Sequence, residues 1–386
     1  MTGWIVAVAV IVIVLAVVGV GFTQGWFSKS TTTNTPKASA TGLAKFPCSG
    51  TVSLTGAGST FVYPLMSSWV SAAAQQTGNC LQVSYSSIGS GAGITQLTSK
   101  LVSFGASDAP LNPSQKAGMP APFFTIPDAL GAVSVIFNVP GVKVLNVTGQ
   151  VVAAIYLGDI TNWNNSAIAA LNPHTTLPNL AITVVHRSDG SGTSFVFTHW
   201  LAAENTTWAN TIGAGLSVAW PTGLGEKGST LVTSTVVSTS GAIGYAELNY
   251  AKLQGAAYAA VQNPAGFFIT PNGTNTAEAA QEVSSSLPNG SGDWGNVSII
   301  NQPGTTTYPL ATLTYIVVFQ DLGKAYGSGM TQTQAQWLVH YLYWAVSAGQ
   351  NYSAGDFYVP MPVGITTLDE TTISEIQYNG QSLVTP

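Results

Sequence analysis

Short apolar runs alternate with Gly-rich turns and amphipathic segments along most of this chain. The runs "TVSLT", "LQVSYS", "GAVSVIFNV" and "AITVVH" have the length and the β-branched content of strands. Segments such as "FVYPLMSSWVSAAAQQTG" and "TQTQAQWLVHYLYWAVSAG" carry their apolar residues at helical spacing. Repeated strand–turn–helix units predict an α/β fold in which mostly parallel sheets are flanked by helices.

The N-terminal region has a different pattern, an uninterrupted apolar run over residues 4–22. A run of about 19 residues is long enough to cross a bilayer, so we predict an uncleaved membrane anchor in residues 1–27. A signal peptide cleaved after "ASA" at 38–40 is the alternative, although that site lies far from the apolar run. Lys29, Lys37 and Lys45 follow the run and none precedes it, which by the positive-inside rule favours a cytoplasmic body.

Two other observations favour an extracellular body, and we predict that location. Cys48 and Cys80 each stand just before a predicted strand, and in neighbouring parallel strands they would lie at the same end, close enough for a disulfide. Two buried free thiols are the alternative. The chain also contains Asn-X-Ser/Thr sequons that predict a glycoprotein, although a chain rich in Asn, Ser and Thr produces some of them by chance. The sequons begin at Asn146, Asn164, Asn205, Asn272, Asn289, Asn296 and Asn351.

Composition limits the remaining choices. Charged residues make up 6% of the chain, against about 25% in typical soluble proteins. Apolar residues reach 46%, which is enough to build the cores of two domains in 386 residues. Residues 28–49 lack apolar periodicity and predict a flexible Ser/Thr-rich stalk. A net charge of −5 without a basic patch argues against a nucleic-acid partner.

Three Gly/Ser turns predict a site for an anion. "GAGSTF", "IGSGAG" and "SDGSGTS" each follow a predicted strand and open a predicted helix, where free backbone N–H groups attract negative charge. Ligands of parallel sheets bind at the carboxyl ends of the strands, so the three turns are expected to converge. Arg187 adds a positive charge and a planar fork that fits two anion oxygens. An ion pair with Asp189 is the structural alternative for Arg187, and both roles are compatible.

Enzyme chemistry finds little support in the sequence. His174, His186, His199 and His340 form no metal-binding spacing with each other or with the two cysteines. The chain contains no phosphate loop and no Gly-X-Ser-X-Gly elbow. We therefore predict no catalytic residue, no metal and no cofactor. A secreted phosphatase or hydrolase that uses Ser191 as its nucleophile is the alternative from another functional class.

The motifs resemble those of the phosphate-binding proteins of high-affinity ABC phosphate transporters. The matching stretches are "LTGAGSTF", "SIGSGAGITQL", "FGASDAPL", "AIYLGDITNWNN", "IAALNP", "RSDGSGTSFVFTHWL", "WPTGLGEKG" and "GAIGYAE", in family order. The resemblance implies a two-lobed periplasmic-binding-protein fold of type II that encloses inorganic phosphate and delivers it to an ABC permease. It implies a lobe I of residues 50–128 and 306–386 and a lobe II of residues 129–305. The anchor, stalk and sequons depart from the soluble bacterial form and suit a cell without an outer membrane, such as an archaeon.

Carried over onto this chain, the resemblance also implies a set of ligands. Asp189 would steady Arg187, and Asp108 would accept a proton from the phosphate. Since sulfate carries no proton at ordinary pH, a buried acceptor of this kind can discriminate by roughly 10⁴–10⁵-fold. The same fold selecting another tetrahedral oxyanion is the alternative. "GSGAG" replaces the common family pattern "GSSGG", which keeps Ser90 and loses the following hydroxyl. The implied phosphate ligands are Thr60, Phe61, Ser90, Asp108, Arg187, Ser191, Gly192 and Thr193.

Overall fold

The computed structural model of the protein describes residues 42–46, 48 and 50–383. The predicted anchor and most of the predicted stalk lie outside these residues. Within the described ranges, no helix combines the length and the apolar character needed to cross a membrane.

The strands are short except for the two that lie side by side in the middle of the principal sheet. They are β1 (Val52–Gly58), β2 (Leu81–Ser87), β3 (Phe104–Ser107), β4 (Phe123–Asn138), β5 (Asn146–Val147), β6 (Thr183–Arg187), β7 (Leu224–Glu226), β8 (Ala242–Glu247), β9 (Ala257–Tyr258), β10 (Ala260–Gln262), β11 (Phe268–Ile269), β12 (Ala311–Phe319), β13 (Gln377–Tyr378) and β14 (Gln381–Ser382).

Helices follow most of the strands, as the alternating pattern predicts. They are α1 (Tyr63–Gln76), α2 (Ser90–Thr98), α3 (Pro113–Gly118), α4 (Gly149–Leu157), α5 (Ser166–Leu171), α6 (Gly192–Glu204), α7 (Thr206–Thr211), α8 (Gly228–Ser238), α9 (Leu248–Gln254), α10 (Gly273–Val283), α11 (Leu322–Tyr326), α12 (Gln332–Val346) and α13 (Val363–Ser374). Single 3₁₀ turns occur at Leu43–Lys45, Gly327–Gly329, Ala348–Tyr352 and Ala354–Asp356.

The principal sheet is mixed, with the strand order β2-β1-β3-β12-β4-β8-β6-β7. Its two flanks are parallel, because β1 pairs with β2 and β3, and β6 pairs with β7 and β8, in the same direction. Its middle is antiparallel, because β12 opposes β3 and β4, and β4 opposes β8. The prediction of mostly parallel sheets is therefore wrong for the middle strands. The sequence of an apolar strand that is buried on both faces does not show whether it runs parallel or antiparallel to its neighbours.

The long strand β4 joins the two lobes of the α/β fold. Residues 123–132 pair with β12 in the first lobe, and residues 133–138 pair with β8 in the second. Pro127 cannot donate a ladder hydrogen bond, and the register shifts beside it, between Thr314 and Tyr315. Asp128 is the extra residue of this bulge. The bulge therefore buries the Asp128 carboxyl beside β12, where it accepts from the Thr314 hydroxyl.

Helices cover both faces of the sheet and bury its side chains. Trp69 on α1 and Tyr341 on α12 are fully buried in the first lobe, as are Trp163 and Trp200 in the second. Residues of α10 and the following segment pack against β12 together with Ile365 of α13. This segment therefore contacts the first lobe, although the predicted boundary at residue 305 assigns it to the second.

The two cysteines meet at the start of the sheet. Strands β1 and β2 are parallel, with Val52 opposite Leu81, so the residues that precede them are neighbours. Cys48 and Cys80 are paired as a disulfide, with their Cα atoms 6.2 Å apart. This link ties the segment before β1 to the edge of the sheet.

Candidate anion-binding site

The candidate site lies where strands of both lobes end, and Asp108 is the carboxylate of the first lobe. Asp108 directly follows β3 and is 2% exposed. The Ser59 hydroxyl donates to its Oδ1, and the Ser90 hydroxyl lies 3.3 Å from its Oδ2. Burial raises the pKa of Asp108 to about 8, although the hydrogen bond from Ser59 and the charge of Arg187 act in the opposite direction. The group therefore changes protonation near neutral pH.

Arg187 is the cation of the site and comes from the second lobe. It ends β6 and is 2% exposed, and its backbone N–H donates to the Tyr245 hydroxyl at 3.0 Å. One edge of its guanidinium forms a bidentate ion pair with Asp189, with N–O distances of 2.7 and 2.6 Å. The remaining nitrogen, Nη1, faces a group of hydroxyls. Burial raises the pKa of Asp189, but the ion pair outweighs it and leaves that pKa lowered.

The hydroxyls around Arg187 come from three chain segments. Nη1 lies 3.0 Å from Thr60 Oγ1, 3.1 Å from Ser229 Oγ and 3.3 Å from Thr193 Oγ1. Thr60 follows β1 in the first lobe, whereas Thr193 and Ser229 open α6 and α8 in the second. The hydroxyls of Thr60 and Ser229 are also 2.9 Å apart, so the two lobes meet here. Arg187 thus organises polar groups from both sides.

The start of α6 approaches Asp108 from the second lobe. Ser191 caps the helix by accepting from the Ser194 N–H at 3.1 Å, as residues of its type do. The N–H of Gly192 donates to Ser90 Oγ at 3.1 Å, which links the second lobe to the first. A Cβ atom on Gly192 would collide with the Asp108 side chain, so only glycine permits this approach.

The structure brings seven of the eight predicted ligands and Asp189 into this one region, but Phe61 has a different environment. Its side chain is 1% exposed in the core, and its N–H already donates to Ser59 Oγ at 2.9 Å. Ser59 therefore links the turn after β1 to both Phe61 and Asp108.

The sequence patterns did not point to three members of the site. Ser59 lies within the turn "GAGSTF", and its sequence context indicates no role of its own. Ser229 opens α8 after "WPTGLGEKG", a fourth strand–glycine–helix turn that could have suggested it. Glu247 ends β8 in "GAIGYAE", is 1% exposed and accepts from the Thr193 hydroxyl at Oε1. A carboxylate at the end of a buried strand was the available signal.

A cluster of three aromatic side chains, Trp220, His186 and Tyr245, lies against the backbone of Arg187. Trp220 stacks on His186 with ring centres 4.8 Å apart and on Tyr245 with centres 5.8 Å apart. His186 directly precedes Arg187, and the Tyr245 hydroxyl holds the Arg187 N–H and contacts Ser194 Oγ at 2.6 Å. The guanidinium is therefore fixed at its backbone and at one edge of its side chain.

This arrangement is suited to holding an anion that carries a proton. One guanidinium and several hydroxyl and N–H donors surround one buried carboxyl group that accepts. Within the described residues, no group of three His, Cys, Asp or Glu side chains could hold a metal ion. The Ser191 hydroxyl serves as a helix cap, and the hydrogen bonds described for it include no histidine.

The chain is similar to known proteins in both its sequence and its fold. The profile of the PBP superfamily domain matches residues 32–348. The phosphate-binding protein PstS of Pasteurella multocida is 38% identical over 311 residues, covering 80% of this chain and 86% of that protein. PstS of Xylella fastidiosa is 36% identical over 320 residues, 81% of this chain and 82% of its own length. A solved human phosphate-binding apolipoprotein is similar with a TM-score of 0.66 at 17% identity, covering 86% of this chain and all of that one.

Proposed function

The chain belongs to the family of phosphate-binding proteins within the PBP superfamily, and from this membership we propose that it binds inorganic phosphate between its lobes and delivers it to an ABC permease for import. It is a binding protein and not an enzyme, in keeping with the names of its relatives. The body acts outside the cytoplasm, where such proteins collect their ligand.

The proposed ligands divide into donors and one acceptor. Arg187 meets the charge of the anion, held in place by Asp189, and Asp108 accepts the proton that phosphate carries. The Phe61 N–H becomes a ligand only if it exchanges its bond to Ser59 Oγ for one to phosphate. The proposed donors are the groups at Thr60, Phe61, Ser90, Ser191, Gly192 and Thr193.

One observation carries this proposal, the position of buried Asp108 beside a hydroxyl-lined guanidinium. The start of α6 brings Gly192 against the Asp108 carboxyl, so a ligand held by Arg187 and α6 also contacts Asp108. An anion without a proton places its oxygens against an ionised carboxylate and is repelled. Phosphate keeps one proton even in mild alkali and satisfies the same group.

Calorimetric titration of the full chain with phosphate and with sulfate tests the proposal. At pH 9, where Asp108 is mostly ionised, we expect one phosphate per chain and sulfate binding weaker by roughly 10⁴-fold or more. Equal binding of the two anions would favour a site for tetrahedral oxyanions in general. Hydrolysis of a phosphate ester by the same preparation would instead favour the Ser191 hydrolase.

We further propose the organisation of the whole chain. Residues 1–27 anchor the protein, residues 28–49 form the stalk, residues 50–128 and 306–386 form lobe I, and residues 129–305 form lobe II. The pairing of β4 with strands of both lobes supports a junction near residues 128–133, and the segment that contains α10 lies against lobe I. Intact mass and N-terminal sequencing of the protein from its native membrane test the anchor and the glycans. A mature chain that begins after residue 40 would contradict the anchor.

A further inference from the structure

Glu247 is a second buried carboxylate beside the anion site, and the ligand set above gives it no role. It is 1% exposed, and its Oε1 accepts from the hydroxyl of Thr193, a proposed phosphate ligand. Its Oε2 has no hydrogen-bond partner in the described part of the chain. The carboxylate lies at the end of β8, next to β6, which carries Arg187.

The hydrogen-bonding capacity of Thr193 is limited by this contact. A hydroxyl has one hydrogen to donate and two lone pairs with which to accept. Thr193 donates its hydrogen to Glu247 and uses one lone pair to accept from Arg187 Nη1 at 3.3 Å. What remains for a ligand is one lone pair. While both bonds persist, the Thr193 hydroxyl accepts from a ligand and cannot donate to it, so the donor proposed at Thr193 is its backbone N–H.

The groups that face Glu247 come from every part of the site. Asp108 in the first lobe and Arg187 on β6 interact with its charge, as do Tyr250 on α9 and Tyr358 in the segment before α13. Burial raises the pKa values of both phenols, so they stay neutral in the range where phosphate titrates. Arg187 is the one cation of this group.

We propose that Glu247 is a specificity-determining residue that fixes the Thr193 hydroxyl as a hydrogen-bond acceptor, so that the site reads a second hydrogen on its phosphate ligand. This inference rests on the proposed function. Asp108 takes one hydrogen of the bound phosphate, and Thr193 takes another from a different oxygen. The complex therefore retains one more proton than it would if Thr193 donated.

Proton linkage makes this extra hydrogen measurable. A difference of one bound proton between two complexes changes the ratio of their affinities about tenfold per pH unit. In Glu247→Gln, the side-chain amide can donate to Thr193 Oγ1, and in Glu247→Leu no acceptor remains at this position, so that the Thr193 hydrogen is free for the ligand. The ratio of the phosphate affinity of the wild type to that of Glu247→Gln should therefore rise about tenfold for each unit that the pH falls. The wild type should also take up about one more proton on binding than the variant does.

The experiment is calorimetric titration of the full chain with inorganic phosphate from pH 5 to 9, in two buffers of different ionisation enthalpy, so that proton uptake is counted. Glu226→Gln is the matched control, because Glu226 lies on β7 and its Oε1 accepts from Thr235 instead of a site residue. Glu226→Gln is expected to keep the wild-type proton count. Glu247→Gln should also have no effect on the count in a Thr193→Val background, since the hydroxyl through which it acts is gone.

The outcomes separate this inference from the proposed function. Phosphate binding with the same proton count in the wild type, Glu247→Gln and Glu247→Leu would overturn the role of Glu247 alone. A change of count that persists in the Thr193→Val background would show that Glu247 acts by its charge, which also overturns it. Absence of phosphate binding by the wild type would overturn the proposed function itself.

Discussion

We expect the proposed preference for phosphate over sulfate to depend on the protonation of one side chain, Asp108. With a pKa of about 8, this carboxyl is mostly ionised at pH 9 and mostly protonated at pH 6. The ionised form repels sulfate, whereas the protonated form can donate to it. We expect the phosphate-to-sulfate affinity ratio of the wild type to fall as the pH is lowered from 9 to 6, measured by competition titration.

Asp108→Asn removes the charge and keeps the shape, because an amide can both donate and accept. Its phosphate affinity should fall modestly at pH 9, and its sulfate affinity should rise by orders of magnitude. The part of the pH dependence that arises from the titration of Asp108 should also disappear from its selectivity. If the variant rejects sulfate at pH 9 as firmly as the wild type does, Asp108 is not the selecting residue.

Arg187 should contribute to the affinity for any anion and not to the choice between them. A hydrogen bond to a charged group is typically worth about 1.5–3 kcal/mol, and Arg187→Ala also leaves the partly buried Asp189 without its ion-pair partner. We expect both phosphate and sulfate binding to weaken by about 10-fold or more in competition titrations at pH 9.

The control for Arg187→Ala is Lys116→Ala, which removes the cation of a far more exposed ion pair with Asp293 and should leave both affinities unchanged. A change in selectivity without a loss of affinity in Arg187→Ala would contradict the role given to the guanidinium.

At the residue scale, the sequence predicts side chains that lie next to glycine-rich turns and misses those whose role depends on another chain segment. Ser90, Arg187 and Thr193 belong to such turns, and the structure brings them together. Ser59 and Glu247 gain their roles from contacts with Asp108 and Thr193, which are 49 and 54 residues away along the chain. A single sequence does not show which distant residue will become a neighbour.

Among the elements, α2 positions Ser90, and its contact with β1 depends on Gly93. A Cβ atom on Gly93 would meet the backbone of β1, with Gly58 N only 2.8 Å away. Since a strand backbone cannot move aside without breaking its ladder, we expect Gly93→Ala to destabilise the fold by about 1–3 kcal/mol. It should also weaken phosphate binding, because Ser90 moves with the helix. Thermal unfolding and calorimetric titration measure the two effects.

Gly364→Ala is the matched control, because Gly364 lies in α13 with open space where its Cβ would be. Removing a helical glycine should leave stability equal or raise it by about 0.5–1 kcal/mol. Equal melting temperatures for the two variants would contradict the close approach of α2 to β1.

The elements predicted from the sequence are found where periodicity is strong, and the errors concern how they are connected. The helices at Tyr63–Gln76 and Gln332–Val346 correspond to predicted amphipathic segments, and the helix at Gly192–Glu204 corresponds to the one predicted after the turn "SDGSGTS". For β4, the sequence predicts a strand only over "GAVSVIFNV", the part that follows Pro127. The bulge beside β12 accommodates that proline, so the strand continues. Such compensation comes from a partner strand and leaves no local signal.

For the whole molecule, the buried acidic groups predict greater stability in acid than in mild alkali. Burial raises the pKa of Asp108 to about 8 and that of Asp128 to about 7, and raises that of Asp369 as well. In an unfolded chain, the pKa of an Asp carboxyl is about 3.9. Because these pKa values are higher in the folded than in the unfolded chain, the protonated carboxyls stabilise the fold. This contribution is fully present below about pH 4 and is lost as the pH rises through 7 and 8. We expect a melting temperature several degrees higher at pH 4.5 than at pH 8.5, measured by circular dichroism.

Asp369→Asn gives this expectation a sharper form. Both carboxyl oxygens of Asp369 are buried without a hydrogen-bond partner in the described chain, so ionisation there has a large cost. The variant should melt at a higher temperature than the wild type at pH 8.5 and at nearly the same temperature at pH 4.5. Asp293→Asn, at an exposed position, should not show this pattern. A wild type that unfolds near pH 4, where ordinary carboxylates titrate, would contradict the acid stability.

The stacking of Trp220 behind Arg187 gives the molecule an optical property. Among the tryptophans of the described residues, Trp220 alone is half-buried, and the others are 0–4% exposed. Its indole rests on His186 and Tyr245, the two residues that hold the backbone of Arg187. An anion bound to Arg187 brings negative charge close to this ring, whereas the indoles in the cores are shielded. Phosphate should therefore shift the intrinsic fluorescence of the protein, and Trp220→Phe should remove most of that shift while the emission of the buried tryptophans remains.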